Sequence, residues 1–345
     1  MKIGKKIISK NSLPFLIAEV GINHNGNLNN AYRLIDYAVE AKFDAVKFQT
    51  INVEKLMIKN APLAEYQRTN KLKNMNELIH KYNLKYSDFV KIQKYCSKKN
   101  IIFLSTPFDI DSAVFLNKLK VPAFKISSSD NDNIFLIDTI KKFNKPLIIS
   151  SGMTKFHELK KIINRVKIEK KRLAILHCTS DYPTEIKYSM LGAIDQIKNL
   201  GYPIGFSDHT IGSTAAVSAV TKGCSIIEKH ITLDKDMEGP DHKASLECKD
   251  LQKFVNIICD VKMSLISKRN HLTNKEVSTK KIAKKALYFA KNFKKNHIIK
   301  NKDLVALRPF QNGISPINYK DFIRKKLKVS VKSETLVKKN KFYSI

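Results

Sequence analysis

The chain has 345 residues, of which 43% are hydrophobic, and its 63 Lys and Arg against 31 Asp and Glu give a formal net charge of +32 at pH 7. This length and composition predict one large domain or two, with a sizeable core. The basic residues are spread along the chain without a nucleic-acid-binding motif or interleaved aromatic residues, so we expect no nucleic acid as a partner. The charge favours attraction of an anionic substrate.

The five cysteines indicate reduced thiols and a cytoplasmic location, because their number is odd and no CxxC spacing occurs. The N-terminus is basic and then briefly apolar, but Glu19 interrupts the apolar run and no small-residue cleavage site follows, so we expect no signal peptide. No stretch approaches the roughly 18 apolar residues that span a bilayer, which predicts no membrane partner.

Taken in order, eight short apolar runs alternate with amphipathic stretches. The predicted strands are Phe15–Val20, Ala45–Gln49, Ile101–Ser105, Ala123–Ser127, Leu147–Ser151, Leu173–Cys178, Pro203–Ser207 and Ser225–His230. The predicted helices include Asn29–Ala41, Tyr86–Lys98, Ile110–Leu119, Ile134–Phe143, Lys155–Val166, Ser189–Leu200 and Ile211–Lys222. Eight such units predict an α/β fold, a (β/α)₈ TIM barrel with its active site at the carboxyl ends of the strands. An open doubly wound sheet is the alternative, but no GxGxxG follows the first strand.

One connection is longer than the others. Residues 50–85, between the second strand and the helix at Tyr86, are too many for a simple loop. Connections of this length in compact domains are usually functional or contain helices of their own. We therefore expect this segment to form a lid or wall over the substrate.

The barrel is predicted to occupy residues 1–268 and to end with a helix over Lys249–Ser267. Residues 269–283 are polar, lack apolar periodicity and predict a linker. Residues 284–345, with 17 Lys and Arg against 3 Asp and Glu, predict a small β-rich domain that is too small to be very stable unless it docks onto something. A non-enzymatic binder of an anionic polymer, acting through this basic domain, is one alternative function.

Two histidines follow adjacent predicted strands. His209 comes after the seventh strand and His230 ends the eighth, so both lie at the carboxyl edge of a parallel sheet, whose strands are about 4.8 Å apart. Two imidazoles so placed could share one metal ion, and the acidic neighbours Asp208 and Asp241 favour this interpretation. Two hydrogen-bonded loop histidines are the alternative.

Two lysines, Lys47 and Lys125, occupy strand interiors, where a charge is costly unless it meets an anion. With the hydroxyl groups that end several strands, they predict a cradle for phosphate and carboxylate. Alternatively, each lysine could pair with Glu19 or Glu228. An aldolase with a Schiff base at Lys125 is a further alternative function.

Three other residues leave choices open. Cys178 beside His177 suggests a thiol nucleophile, but strand alternation predicts that Cys178 points away from His177, toward the helix layer. Tyr182 could face the site or pack as an ordinary aromatic residue. His24 could line the site or order its own loop.

The sequence resembles the sialic acid synthase family, the N-acylneuraminate synthases, which also make legionaminic and pseudaminic acids. The resemblance covers nearly the whole chain, through IAEVGINHNG, AVKFQT, FLSTPFD, AFKISSSD, IISSGM, LHCTSDYP, GFSDHTIG, IIEKHITLDKDMEGPDHKASLE and RPFQNGISP. It implies a TIM barrel followed by an antifreeze-like (SAF) domain, in a domain-swapped homodimer where that domain covers the partner's site.

The resemblance also implies roles for individual residues. His209 and His230 correspond to ligands of a divalent metal ion, usually Mn²⁺, and Glu19 to a carboxylate near the reacting carbons. The residues implied for phosphoenolpyruvate are Lys47, Gln49, Thr106, Lys125, Ser128, Ser150, Ser180 and Ser207. Those implied for the sugar or the metal's surroundings are Asp130, Tyr182 and Asp241, with Arg308 reaching an N-acyl sugar from the partner subunit.

Several positions depart from the family pattern. Asp130 stands where glutamate is common, Ser180 where the N-acetylneuraminate branch often has asparagine, and the RPFQNGISP loop is longer than usual. NAPLAEYQ, HCTSDYP and DHKASLE resemble the legionaminic branch. The expected activity is that of a transferase, which condenses phosphoenolpyruvate with N-acetylmannosamine or a diacetamido-trideoxy analogue to give N-acetylneuraminate or legionaminate plus phosphate.

Overall fold

The computed structural model describes residues 1–58, 61–63, 74–266 and 269–343. The chain divides into two compact units, residues 1–267 and 268–345. None of the helices within the described ranges is long and apolar enough to cross a membrane.

Eight parallel strands form the sheet of the first unit: β1 (Phe15–Gly21), β2 (Ala45–Thr50), β3 (Ile102–Pro107), β4 (Phe124–Ile126), β5 (Leu147–Ser150), β6 (Leu173–His177), β7 (Ile204–Asp208) and β8 (Ile226–Thr232). They pair in the order β3-β2-β1-β8-β7-β6-β5-β4. The two end strands, β3 and β4, also lie next to each other. The sheet is therefore a nearly closed barrel, which confirms the predicted TIM barrel.

The helices of the first unit are α1 (Leu28–Glu40), α2 (Val53–Leu56), α3 (Met75–Tyr82), α4 (Tyr86–Lys98), α5 (Ile110–Lys118), α6 (Ile134–Lys142), α7 (Phe156–Val166), α8 (Ala193–Lys198), α9 (Thr214–Thr221) and α10 (Leu251–Ile266). Most lie within two residues of their predicted bounds. Helices α8 and α9 begin later than predicted, because Met190 and Gly212 have φ of 46° and 78°, outside the α-helical region.

The first helix illustrates the sequence signals. Asn27 caps its N-terminus, where the side chain accepts hydrogen bonds from the backbone N–H groups of Asn29 and Asn30. The buried residues recur at helical spacing along one face and are Ala31, Leu34, Ile35 and Ala38. This face packs against the outside of the barrel.

Alternate residues of the strands form two cores. Val46 and Phe48 of β2, for example, belong to the core between strands and helices, as predicted. The barrel interior is packed with Phe15, Ile17, Ala45, Leu104, Ala123, Ile148, Ala174, Leu176 and Ile226, which meet Ile3 and Ile8 of the N-terminal segment. These apolar residues fill the interior toward the amino ends of the strands, which leaves the polar residues at the carboxyl ends.

Helices α2 and α3 lie in the long connection between β2 and α4. The described part of this connection packs with the ends of β1 and β2 into a small core of its own, formed by Ile22, Ile51, Val53, Leu63, Leu78, Ile79 and Tyr82. Residues 59–60 and 64–73 of the predicted lid lie outside the described residues.

The second unit has a core of its own, built from Leu287, Phe289, Ile299, Phe322, Leu327, Val331, Val337 and Phe342. The last strand of the first unit is β9 (Leu246–Glu247), which pairs with β8. In the second unit, strands β10 (Ala286–Phe289) and β11 (Leu304–Leu307) pair antiparallel. Helix α11 (Asn274–Ala283) occupies most of the predicted linker. Thr273 and Glu276 form its capping box, but none of its residues is buried, which explains why apolar periodicity did not reveal it.

Candidate active site

A cavity of about 630 Å³ opens at the carboxyl ends of the barrel strands. All but two of the sequence-predicted site residues line it, namely Glu19, Lys47, Gln49, Thr106, Lys125, Ser128, Ser150, Ser180, Tyr182, Ser207, His209, His230 and Asp241. The exceptions are Asp130, which lies behind the lining, and Arg308, which is exposed in the second unit directly after β11.

Two lysines and two glutamates form a charged floor in this cavity. Lys47 Nζ lies 2.7 Å from Glu19 Oε2 and 3.7 Å from Glu228 Oε2. Lys125 Nζ lies 3.7 Å from Glu228 Oε1, so Glu228 lies between the two ammonium groups. The lysine–glutamate pairing considered from the sequence is therefore present. An anionic substrate would have to replace these carboxylates as a partner of the lysines.

The two carboxyl groups differ in pKa because their charged neighbours differ. Burial raises the pKa of Glu19 above its usual range, and this outweighs the opposing effect of Lys47. Burial also opposes ionisation of Glu228, but Lys125 and Lys47 outweigh it and lower the Glu228 pKa. The floor therefore contains one carboxyl that holds a proton readily and one that stays ionised, an arrangement typical of acid–base sites.

Hydroxyl groups surround the lysines. Lys47 Nζ donates to Thr106 Oγ1 at 3.0 Å, and Lys125 Nζ donates to Ser150 Oγ at 2.6 Å. On the other side, Ser207 Oγ donates to Glu228 Oε1 at 2.8 Å. The floor therefore presents hydroxyl and ammonium donors on several strands at once, which suits the oxygens of a phosphate or carboxylate.

Close packing around Gly152 brings two further serines together. A Cβ at this position would clash with Ser180 Oγ and Ser128 Oγ, so any larger residue would displace these serines. The Gly152 N–H donates to Ser128 Oγ at 3.1 Å. Ser180 Oγ is buried and has no hydrogen-bond partner among the described residues. A buried, unsatisfied hydroxyl at the cavity wall is suited to a ligand oxygen.

The two histidines meet at the cavity, with ring centroids 5.6 Å apart. His209 Nδ1 lies 2.6 Å from the Thr179 carbonyl oxygen, which accepts its proton and leaves a lone pair on Nε2. His230 Nδ1 is buried and has no hydrogen-bond partner in the described part of the chain. Burial lowers the pKa of both histidines, that of His209 to about 4, so both rings are neutral.

Neutral imidazoles with ring lone pairs fit a divalent metal ion. On His209 the Nε2 lone pair meets Ser207 Oγ at 3.3 Å, a contact that a bound metal would replace. The Asp241 carboxylate lies beside them, with Oδ2 4.0 Å from His230 Nδ1, and burial raises its pKa to about 6. Across residues 1–58, 61–63, 74–266 and 269–343, no group of three or more His, Cys, Asp or Glu residues is arranged to hold a metal. A metal bound here would have the two imidazoles as its protein anchor.

Tyr182 faces the site. Its ring centroid lies 4.2 Å from that of His209, and it meets His230 edge-on at 5.9 Å. His24, by contrast, orders its loop, since its Nδ1 accepts the Gly26 N–H at 3.0 Å. The structure therefore resolves the choices that the sequence left open at these two residues.

The predicted orientation of Cys178 is wrong. Cys178 lines the cavity, 3.1 Å from Ser128 Oγ, whereas His177 stacks on Phe206 on the helix side of the barrel. The side chains of this strand do alternate, but Leu176 and Cys178 face the barrel interior and His177 faces the helices, which is the reverse of the prediction. Counting from the interior positions of this strand would have identified Cys178 as a lining residue.

Asp130 and Asp208 have partners that the sequence does not reveal. Asp130, for which the resemblance implies a contact with the sugar or the metal's surroundings, accepts hydrogen bonds from Ser127 and Ser129 at 2.8 and 3.0 Å, and these two serines line the cavity. Asp208, taken from the sequence as support for a metal site, forms a buried ion pair with Lys229 at 2.9 Å. Both side chains bind neighbouring residues and thereby stabilise the structure around the site.

Part of the cavity lining is apolar and comes largely from the long connection, for which the sequence predicted a substrate wall. We call this set the apolar wall; its members are Ile22, Ile51, Leu56, Met57, Ala61, Pro62, Met75, Ile79 and Phe108. The sequence predicted the segment but not which residues face the cavity, because helix α3 has to pack before its inner face is defined.

Comparison with known proteins agrees with this geometry. The NeuB family model matches residues 34–270. N,N'-diacetyllegionaminic acid synthase of Campylobacter jejuni is 34% identical over 94% of this chain and 98% of that protein. N-acetylneuraminate-9-phosphate synthase of Homo sapiens is 31% identical over 94% of this chain and 91% of that protein.

A solved structure extends the comparison. The N-acetylneuraminic acid (sialic acid) synthetase of Leptospira borgpetersenii, in complex with citrate, is 32% identical, with a TM-score of 0.71 over 81% of this chain and 94% of that chain. Sequence and fold therefore agree over most of the chain, and the protein belongs to the NeuB family, the family of the sialic acid synthases.

Proposed function

We propose that this protein condenses phosphoenolpyruvate with the open-chain aldehyde of an N-acyl-mannosamine-type sugar. The products are phosphate and a nine-carbon 2-keto acid, N-acetylneuraminate or legionaminate. The observation that carries the proposal is the buried pair Lys47 and Lys125, on different strands of one barrel mouth and surrounded by hydroxyl groups. Relatives named as legionaminic acid and N-acetylneuraminate-9-phosphate synthases support it.

Phosphoenolpyruvate binding follows from the charged floor. Lys47 and Lys125 provide the positive charge that its phosphate and carboxylate need. The donors arranged around them are those of Gln49, Thr106, Ser128, Ser150, Ser180 and Ser207. Holding the enol carbon against the aldehyde in one cavity supplies proximity, which lowers the barrier of a two-substrate reaction.

The reaction begins when C3 of phosphoenolpyruvate attacks the aldehyde carbon. Glu19, whose pKa is raised by burial, gives its proton to the aldehyde oxygen as this bond forms. The carboxylate that remains stabilises the positive charge that develops at C2. Water then adds at C2 and returns a proton to Glu19. Cleavage of the C2–O bond releases phosphate, which takes the hydroxyl proton, and leaves the keto group.

A divalent ion fits beside this floor. His209 and His230 would hold it through their neutral ring nitrogens, and Mn²⁺ is our choice of ion. When bound, the ion supplies Lewis-acid polarisation of the sugar's aldehyde oxygen. Tyr182 and Asp241 lie beside the two histidines, and we propose that they contact the sugar.

We further propose that the second unit is the antifreeze-like domain and that the protein acts as a homodimer. Exposed apolar residues follow successive strands from β4 to β7, which supports a subunit contact at the catalytic face. They are Phe135, Met153, Ile186, Tyr188, Met190 and Ile211. Arg308, exposed in the second unit, would reach the partner's sugar.

A phosphate-release assay tests the proposal. Phosphate should appear only when phosphoenolpyruvate and an N-acyl hexosamine are both present, and a chelator should slow its release until Mn²⁺ is restored. Mass spectrometry should then find the nine-carbon keto acid. Release from phosphoenolpyruvate alone, at an unchanged rate, would contradict a condensation.

A Schiff-base aldolase remains the second candidate, because burial lowers the pKa of Lys125, as an amine nucleophile requires. Borohydride reduction in the presence of substrate distinguishes the two reactions. A covalent adduct at Lys125, located by peptide mass spectrometry, would favour the aldolase. The condensation predicts none.

A further inference from the structure

Two asparagines are buried between loops at the mouth of the barrel. Asn23 follows β1 and is 0% exposed, and Asn131 follows β4 and is 2% exposed. Neither is among the described residues that line the cavity, so neither is placed to touch a substrate there. A buried amide is costly unless it is hydrogen-bonded, so the partners of these two side chains indicate what each one holds in place.

The side chain of Asn131 joins the turn after β4 to the loop after β5. Its Nδ2 donates to Thr154 Oγ1 at 2.7 Å and to the Ser150 carbonyl oxygen at 3.1 Å, and the Gly152 carbonyl oxygen lies 3.4 Å away. Thr154 Oγ1 in turn donates to the Gly152 carbonyl oxygen at 3.0 Å. One amide group therefore fixes residues 150–154 against the turn.

The two segments that Asn131 joins also carry donors of the proposed phosphoenolpyruvate site. Ser128 Oγ, in the turn, accepts the Gly152 N–H at 3.1 Å, and Ser150 Oγ, at the end of β5, accepts from Lys125 Nζ at 2.6 Å. A shift of the loop against the turn would move Ser128 and Ser150 relative to each other. Asn131 therefore sets the spacing of these donors without contacting the anion.

The side chain of Asn23 makes the corresponding connection on the histidine side of the cavity. Its Nδ2 donates to the Ile231 carbonyl oxygen at 2.9 Å and to Ser245 Oγ at 2.8 Å. Ile231 directly follows His230, and Ser245 Oγ donates to the Asp241 carbonyl oxygen at 2.6 Å. Asn23 therefore holds the segments that carry His230 and Asp241.

We propose that Asn131 and Asn23 are positioning residues for the two halves of the site. Asn131 holds the donors around phosphoenolpyruvate, and Asn23 holds the histidine and the carboxylate beside the metal. The inference rests on the proposed function, because the anion and the metal are those of the proposed condensation. It assigns each residue an effect on one ligand, whereas a merely structural role would lower stability without separating the two ligands.

Titration calorimetry of the two alanine variants tests this assignment, with phosphoenolpyruvate added without metal and Mn²⁺ added without phosphoenolpyruvate. Asn131→Ala should raise the Kd of phosphoenolpyruvate about 3- to 10-fold, the range for one neutral hydrogen bond, and leave that of Mn²⁺ within about twofold. Asn23→Ala should raise the Kd of Mn²⁺ about tenfold and leave that of phosphoenolpyruvate within about twofold. Each variant is therefore the control for the other.

Two milder variants remove one partner of each amide and guard against misfolding. Thr154→Val should raise the Kd of phosphoenolpyruvate, as Asn131→Ala does, and Ser245→Ala should raise that of Mn²⁺, as Asn23→Ala does. The double variant Asn131→Ala, Thr154→Val should bind phosphoenolpyruvate about as weakly as Asn131→Ala alone, because both changes break the same connection.

The outcomes separate this inference from the proposed function. Equal changes in both affinities, or no change in either, in variants that keep the circular dichroism of the wild type would overturn the inference. The proposed function would then still stand, provided that the wild type binds phosphoenolpyruvate and Mn²⁺. A wild type that binds neither ligand would overturn the proposed function, and the inference with it.

Discussion

Lys47 Nζ lies 2.7 Å from Glu19 Oε2, although the two side chains are only 4% and 2% exposed. A buried contact between a lysine and a carboxyl group contributes little net stability compared with apolar packing, so stability alone does not account for it. Its position at the mouth of the barrel gives the pair another use. Glu228, which stays ionised, helps to keep Lys47 positive, and an anionic substrate would take over that role.

Replacing either floor lysine should weaken phosphoenolpyruvate binding. Lys47→Ala or Lys125→Ala removes one charged contact worth about 1.5–3 kcal/mol, so KM for phosphoenolpyruvate should rise roughly 10- to 100-fold. Steady-state kinetics at saturating sugar measures this, with the exposed Lys55→Ala as control. An unchanged KM in both floor variants would contradict their assignment.

Removing either histidine should abolish metal-dependent turnover. His209→Ala and His230→Ala each delete one of the two proposed ligands, so titration calorimetry should show weakened Mn²⁺ binding. Circular dichroism should stay close to that of the wild type, because both rings line the cavity. The exposed His157→Ala is the control. Wild-type activity of either variant in chelated buffer would rule out the metal assignment.

The buried pair of Asp208 and Lys229 supports His209 from the outer side of the sheet. Lys229 also donates to the Thr210 carbonyl, and Asp208 Oδ1 accepts from the Thr210 N–H, so the turn containing His209 is held at both ends. Lys229→Met leaves a buried carboxylate unpaired and should cost about 3–5 kcal/mol in urea unfolding.

The surface pair Lys222 and Asp195 offers a matched control. Its side chains are 32% and 58% exposed, so Lys222→Met should cost no more than about 1 kcal/mol. The double variant Asp208→Asn, Lys229→Met should recover part of the stability lost in Lys229→Met. If Lys229→Met costs as little as Lys222→Met, the buried pair does not stabilise this turn.

Acid should destabilise the barrel through His24. Burial lowers the pKa of His24 from 6.5 to about 3, so below pH 6.5 the unfolded chain binds a proton that the folded chain excludes. The free energy of unfolding should therefore fall as pH drops from 6.5 toward 3, by about 2 kcal/mol for this group at pH 5.

Urea unfolding at pH 7 and pH 5 measures this loss. His24→Asn should shrink the difference between the two pH values by a similar amount, because its Oδ1 can accept the Gly26 N–H without titrating. His157→Asn, at an exposed position, should not. An unchanged pH dependence in His24→Asn would contradict a neutral, buried His24.

Mixing two impaired variants, assayed at a phosphoenolpyruvate concentration at which each alone is nearly inactive, tests the proposed dimer. If Arg308 acts on the partner's sugar, Arg308→Ala and Lys125→Ala subunits should together restore roughly a quarter of wild-type activity. Random exchange makes half of the dimers mixed, and half of the sites in a mixed dimer pair an intact barrel with an intact Arg308. A mixture that stays as inactive as its parents after verified exchange would contradict action in trans.

The barrel could be predicted because its signals are local. Each strand is a short apolar run. Helix α1 is predicted by its N-cap residue Asn27 and by apolar residues at helical spacing along one face. The polar residues that end the strands then follow from the topology, since parallel strands place Lys47, Lys125 and His230 at one edge. These steps require no knowledge of tertiary packing.

Two kinds of feature could not be predicted in this way. One is the side of a strand that each residue faces, and the other is the set of side chains that meet only in the folded protein. A shift of one position reverses which side of the strand a residue faces, and for this reason the predicted orientation of Cys178 is wrong. Helix α11 is fixed by its capping box and buries no residue, so no apolar pattern marks it. The partnership of Glu228 with both lysines becomes visible only when three strands are side by side.

The most direct test of the proposed function follows the oxygen that bridges C2 and phosphorus in phosphoenolpyruvate. With this oxygen isotopically labelled, mass spectrometry of the released phosphate reports which bond breaks. Condensation with attack of water at C2 predicts that the label leaves with the phosphate, in amounts equal to the keto acid formed. Phosphate that carries no label, released at the rate of turnover, would mean cleavage at phosphorus and would contradict the account.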